Sequence, residues 1–187
     1  MKLLKKLAAV ALAAVLALSM VGCGNASGVN YTKQFMLNMM ADSVAMYGGE
    51  CHNTPDMDSI AQRLLTEANA AYQDETQTNK AVKALLNVAV EKMRKEGDLN
   101  AGTGYGIEFV EDYQFRSSFI PDAEKQDALI RNMEYIPVNG GIDDDDDDDE
   151  ADDLDIGVAV GKIGDKTYVV MVMMPTESTA APGTTKD

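Results

Sequence analysis

The only place where a thiol and an imidazole adjoin in this chain is Cys51-His52. A nucleophile pair needs the imidazole nitrogen at hydrogen-bond range of the sulfur, and adjacent side chains usually point apart. The pair therefore reads as part of the connection between two helices. Glu50, Glu108, Glu111 and Asp112 could supply the paired carboxylates of glycoside or peptide hydrolysis. Their spacing fixes no distance between them, and Glu108, Glu111 and Asp112 suit the wet side of a strand equally well. Met36, Met39 and Met40 recur on one helical face, and Met171 and Met173 share a strand face. Thioethers bind Cu(I), yet these residues coincide with the apolar stripes and read as adaptable core. No catalytic residue, cofactor or metal ligand is assigned.

The acidic chemistry is concentrated in one place. Between Asp143 and Asp155, 11 of 13 residues are Asp or Glu, seven of them consecutive Asp. A calcium loop spaces its oxygen ligands and places Gly at a defined turn, and that pattern is absent. The run reads as a solvated, disordered insertion, with weak divalent-cation association as its functional alternative.

The whole chain of 187 residues carries 16 Lys+Arg against 31 Asp+Glu, a net charge of −15. That sign argues against nucleic acid, whose phosphates are bound by Lys and Arg with release of counterions. No P-loop or dinucleotide fingerprint is present. The length suits one domain with a real core.

Some of the basic residues have a separate purpose. Lys2, Lys5 and Lys6 precede an apolar stretch from Leu7 to Val21, broken only by Ser19. Those 15 residues fall short of the roughly 20 needed to span a bilayer, so the segment reads as a secretory signal. It ends in Met20-Val21-Gly22-Cys23-Gly24, which resembles the lipobox of bacterial lipoproteins, with Met20 where Leu is commoner. The resemblance implies cleavage of residues 1–22 and a thioether-linked diacylglyceryl group on Cys23, with acylation of the freed amine by a chain such as palmitate. Two or three acyl chains anchor stably to a bilayer. The domain would then face outward in the cell envelope, extracytoplasmic and membrane-anchored. Loss of three Lys leaves 13 basic residues against 31 acidic, a net −18. Cys51 is left without a disulfide partner in the chain.

Residues 23–30 comprise the lipidated Cys23 and a short flexible tether, and residues 31–174 a single domain. Thr32 to Tyr47 shows helical recurrence of Phe35, Met36, Met39, Met40, Val44 and Tyr47, stopped by Gly48-Gly49. A second helix opens at Thr54 as N-cap and Pro55 as first helical residue, with Asp56 and Asp58 suiting the positive helix end. Its stripe runs through Met57, Ile60, Ala61, Leu64, Leu65, Ala68, Ala71 and Tyr72. A third helix spans about Thr78 to Lys95, with Gly97 as its stop. Ile107, Phe109, Tyr113 and Phe115 read as an extended segment. A shorter helix follows from Pro121 to Met133, then an extended Tyr135–Val138 and a turn at Asn139-Gly140-Gly141. Leu154–Lys162 and Thr167–Met174 form a hairpin around Ile163-Gly164-Asp165-Lys166. Apolar residues on both strand faces, with Gly157, Ala159 and Gly161 on one of them, predict a sheet covered on both sides and a helix closely applied to one. The fold class is α+β: an α-β-α sandwich with a small, largely antiparallel sheet flanked by helices. Residues 143–155 form the acidic insertion, and 175–187 a disordered tail.

The order of helices and the closing hairpin, Ile156-Gly157-Val158-Ala159-Val160 with Thr167-Tyr168-Val169-Val170, resembles the CAP (SCP-like) domain. Leu37-Asn38, and Asp58 with Ile60-Ala61, add to the likeness. The resemblance spans about residues 32–174 and implies an extracytoplasmic α-β-α domain. The family's usual cavity holds two His and two acids, often around a metal. This chain has a single His, His52, and lacks the Gly-Glu-Asn sequence that often carries one of the acids. No site residue is carried over. The resulting expectation is a lipid-anchored, non-enzymatic domain that binds a ligand or another envelope protein. The alternative is a divergent CAP-like hydrolase with a carboxylate-based site.

Overall fold

The computed structural model describes residues 26–46, 48–115, 119–142 and 153–176. Residues 1–25, with the expected signal segment and Cys23, lie outside them, as do residues 143–152 of the acidic run and the tail from residue 177. Four helices and five strands follow one another among the described residues: α1 (Ala26–Ala45), β1 (Cys51–Asn53), α2 (Pro55–Gln73), α3 (Val82–Glu96), β2 (Tyr105–Glu111), a 3₁₀ turn (Asp112–Gln114), α4 (Asp122–Asn132), β3 (Glu134–Val138), β4 (Leu154–Ile163) and β5 (Lys166–Pro175). The strands form one sheet in the order β1-β4-β5-β2-β3. β1 alone runs parallel to its neighbour; the other pairings are antiparallel. The chain is thus the expected α+β sandwich, with helices flanking a largely antiparallel sheet, and the middle segment joins the terminal hairpin through β2 and β5.

Side-chain alternation along the strands builds two cores. Ile107, Phe109, Ala159, Val170 and Val172 face α2 and α3, where Leu64, Leu65, Leu85, Leu86 and Met93 meet them. Val110, Ile156, Val158, Val169, Met171 and Met173 face the opposite side and meet Met36, Val44, Phe115 and Leu129. The central strand β5 is apolar on both faces because both faces are covered. Gly157 permits the close approach of α2: a β-carbon there would fall far inside 3.0 Å of the Met57 carbonyl and the Asp58 nitrogen. Gly164, at φ +63°, opens the two-residue hairpin turn, where glycine removes the steric cost.

Helix α2 starts as its sequence signals require. Thr54 accepts a bond from the Met57 amide, and Pro55 occupies the first turn. Helix α3 stops at Gly97 in the left-handed region, φ +83°, and the Asp98 amide returns to Met93 O at 2.9 Å, a Schellman-type closure.

Two helix starts and one strand differ from expectation. Helix α1 begins at Ala26, so Ala26–Asn30 of the expected tether are helical. Gly28 and Asn30 are weak helix formers, but tertiary contacts further along fix this end. Thr32 is buried and donates to Asp112 Oδ1 at 3.2 Å, while Tyr31 donates to Asp122 at 2.5 Å. Helix α3 begins at Val82 instead of near Thr78. The Lys80 ammonium binds the Tyr72 and Asp74 carbonyls at 2.5 and 2.6 Å, which holds the connection as a cap on α2. Residues 51–53, expected in a connector, form the parallel strand β1. Leu154 and Asp155, counted above both in the acidic insertion and in the first hairpin strand, belong to β4.

Candidate functional site

Cys51 and His52 do not meet as a catalytic pair. They are consecutive strand residues, so their side chains leave on opposite faces. Cys51 is half-buried against the second core, and burial, reinforced by the nearby Asp155 charge, pushes its thiol up from the ordinary value. His52 is exposed, with Nε2 3.6 Å from Glu50 Oε2. A nucleophilic thiol requires the reverse electrostatics.

The four candidate carboxylates make separate contacts. Glu111 holds Lys166 Nζ at 2.7 Å across the β2–β5 pair. Asp112 is buried beneath α1 with Thr32. Glu50 lies at the start of β1, where its amide donates to Asp153 Oδ1 at 2.7 Å. Glu108 stands on the other face of β2 from Glu111, between Met171 of β5 and Tyr135 of β3. Burial pushes its carboxyl up from the ordinary value. No group of three or more His, Cys, Asp or Glu among the described residues is arranged to hold a metal ion. Met36, Met171 and Met173 are buried in the second core, with Met39 and Met40 partly buried against it, as their apolar periodicity requires.

The structure brings together a constellation that the spacing did not announce, centred on Asp58. Its Oδ1 accepts the Val158 amide at 3.0 Å and Asn53 Nδ2 at 3.0 Å, and its Oδ2 pairs with Lys33 of α1. Burial pushes this carboxyl up, but the bonds from Lys33, Asn53 and the Val158 amide outweigh it and hold the group below its ordinary value. Asp58 thus ties α1, α2, β1 and β4 together. Its position in the first turn of α2 is readable from sequence; its three partners come from distant segments.

Beyond this knot lies an open groove of about 670 Å³ along the outer edge of β4. Val29 and Lys33 of α1 line one side, Gln62, Arg63 and Thr66 of α2 the other, and Val158–Val160 the floor. The formal charges around it are neutralised locally. Lys33 pairs with Asp58, Arg63 with Glu96 and Asp98, and Glu67 with Lys92. Each charge that lines the groove is thus paired, and its floor is the β4 segment Val158–Val160.

No helix among the described residues is long and apolar enough to cross a membrane. No family model, curated protein or solved structure matches the chain.

Proposed function

We propose that this chain is a bacterial lipoprotein, anchored to a membrane through Cys23, whose extracytoplasmic domain binds a ligand or envelope protein without catalysing a reaction. The observation that carries the anchor is the segment of Lys2, Lys5 and Lys6, the apolar Leu7–Val21, and Gly22-Cys23. Ala26, three residues after Cys23, is already helical, so the domain stands close to the bilayer surface.

The dispersal of the candidate carboxylates supports binding over the CAP-like hydrolase alternative: Glu108 and Glu111 leave opposite faces of β2, Asp112 is buried with Thr32, and Glu50 lies beside β1. Hydrolysis by carboxylates needs two of them flanking one bond. Metabolic labelling with an alkyne palmitate tests the anchor. Labelled protein in the membrane fraction, with both label and membrane retention lost in Cys23→Ala, is the expected result. Unchanged labelling of Cys23→Ala refutes it.

A further inference from the structure

We infer that the groove beside β4 is a docking lane for an extended, uncharged polypeptide strand, which lengthens the sheet in the row that β1 begins. This deepens the binding reading above and is independent of the anchor at Cys23. The argument starts from the main chain. β4 has ten residues, Leu154–Ile163, and β1 covers Leu154, Asp155 and Ile156 alone. On that side the Leu154 amide donates to Glu50 O, and Ile156 O accepts from the Thr54 amide. Strand alternation then directs the main-chain groups of Val158, Val160 and Lys162 to the same side. The hairpin agrees, because Ile163 and Lys166 close its two-residue turn and so place the odd-numbered residues of β4 in hydrogen-bonded pairs with β5. Asp58 takes the Val158 amide. The Val158 carbonyl and both groups of Val160 face the groove, those of Lys162 continue the same edge beyond it, and no described strand pairs with them. An alternating row of donors and acceptors is the chemical complement of another extended backbone.

The walls select among possible strands. α1 and α2 rise on either side of the lane, so an occupant has to lie between two helices. The β4 edge of a second copy carries its own two helices, which would meet these walls. Side chains in register with Val158 and Val160 turn toward α1 and Val29, and those in register with Gly157, Ala159 and Gly161 turn toward Gln62, Arg63 and Thr66. Alternating apolar and small hydroxyl residues fit these two sides. Because the ion pairs around the groove are satisfied, an uncharged occupant leaves them intact, whereas a charged one must compete with Asp58 or Lys33.

The test uses the full mature protein in detergent micelles and the blocked hexapeptide acetyl-Thr-Val-Thr-Val-Thr-Val-amide. Two analogues carry N-methyl groups on alternate amides, each set blocking one edge of the extended peptide. The expected result is saturable binding, with amide shifts concentrated at Val160–Lys162, and binding by one of the two methylated analogues. Val160→Pro removes an outward donor that an edge position can lose and should weaken binding at least about tenfold. If Val160→Pro does not fold, the methylated pair still decides. Four results would each overturn the proposal: no saturable binding at millimolar peptide, shifts elsewhere on the domain, binding by both analogues, or binding by neither. Sedimentation showing a dimer that Val160→Pro dissociates would assign the lane to a second copy and also overturn it. Failure here leaves Cys23 labelling unaffected, so the two readings fail separately.

Discussion

Gly157→Ala is the sharpest perturbation that the fold offers. The added β-carbon would lie inside 3.0 Å of the Met57 carbonyl carbon and oxygen and of the Asp58 nitrogen. These are backbone atoms of the first turn of α2, so no rotamer change relieves the contact. Overpacking a tight core costs about 1–3 kcal/mol, and rigid backbone places this site at the upper end. Moving the α2 start also loosens the Thr54 cap, a contribution of about 1 kcal/mol, and the Asp58 bond to the Val158 amide. The expected loss is about 3–4 kcal/mol, a large part of the 5–15 kcal/mol typical of a domain, and a fall in Tm of roughly 10 °C. Gly161→Ala is the internal control. Its β-carbon would meet Leu65 Cδ1 at 3.2 Å, the end of a side chain that can yield. Both changes share the same unfolded-state gain on replacing Gly by Ala, about 0.4–1 kcal/mol, so their difference isolates the contact. Urea unfolding of the two variants, followed by circular dichroism, should place Gly161→Ala within about 1 kcal/mol of wild type. Gly157→Ala within about 1 kcal/mol of Gly161→Ala would refute the close seating of α2 on β4.

Other outcomes follow from single groups. Glu108→Gln should stabilise the protein at neutral pH: a carboxyl raised by burial loses native stability as pH rises from its unfolded value, about 4.3, through its higher folded one. The gain over wild type should vanish below that window, and a uniform effect across pH would contradict the assignment. Asp58 has the opposite sign, its folded value being depressed. Its contribution is present above an unfolded value of about 3.9 and lost as pH falls through the folded one, so Asp58→Asn should be less stable at neutral pH and less acid-sensitive, by urea midpoints. Buried Lys125 is held above its ordinary value: desolvation opposes its charge, but Tyr31 and Asp122 outweigh it. Its contribution is complete below about pH 10.4 and disappears as pH rises through the folded value; Lys125→Met should flatten that alkaline limb. Native Cys51 should alkylate with iodoacetamide at least about tenfold more slowly than in urea, as its raised thiol requires; equal rates would remove the burial argument.

The legible parts of this fold are those where one local signal suffices. Thr54-Pro55, Gly97 and the Gly164 turn each fix a boundary through their own backbone chemistry, and the stripe Met57-Ala61-Leu64-Leu65-Ala68 fixes the buried face of α2. Gly157, Ala159 and Gly161 announced a close helix without saying which; α2 fills that role through Met57, Asp58 and Leu65. β1 was illegible because Cys51-His52-Asn53 has no apolar alternation. It is a strand because β4 offers it partners and Asn53 Nδ2 adds a bond to Ile156 O at 3.0 Å. The groove was illegible for the same reason. An open edge is defined by which strand stops first, and β1 stops seven residues before β4.

Asp58 shows how far one residue's sequence meaning can fall short of its structural one. An acid in the first turn of a helix contributes about 0.3–1 kcal/mol through the helix dipole, and nothing in that role makes it exceptional beside Asp56. Its three bonds reach 5, 25 and 100 residues away. They join the last residue of β1 to the first helix and close the main chain of β4 where β1 ends. A sheet edge that continued open from Asn53 would expose its whole row of donors and acceptors, an invitation to edge-to-edge pairing. By taking the Val158 amide, Asp58 ends the internal pairing and marks where the lane for an external strand starts. Truncating its side chain should therefore act twice, lowering stability through α2 and lengthening the free edge by one donor. Under the docking proposal, Asp58→Ala binds the hexapeptide with Val158 newly among the perturbed amides. A perturbed set that still begins at Val160 would show that Asp58 does not set the register.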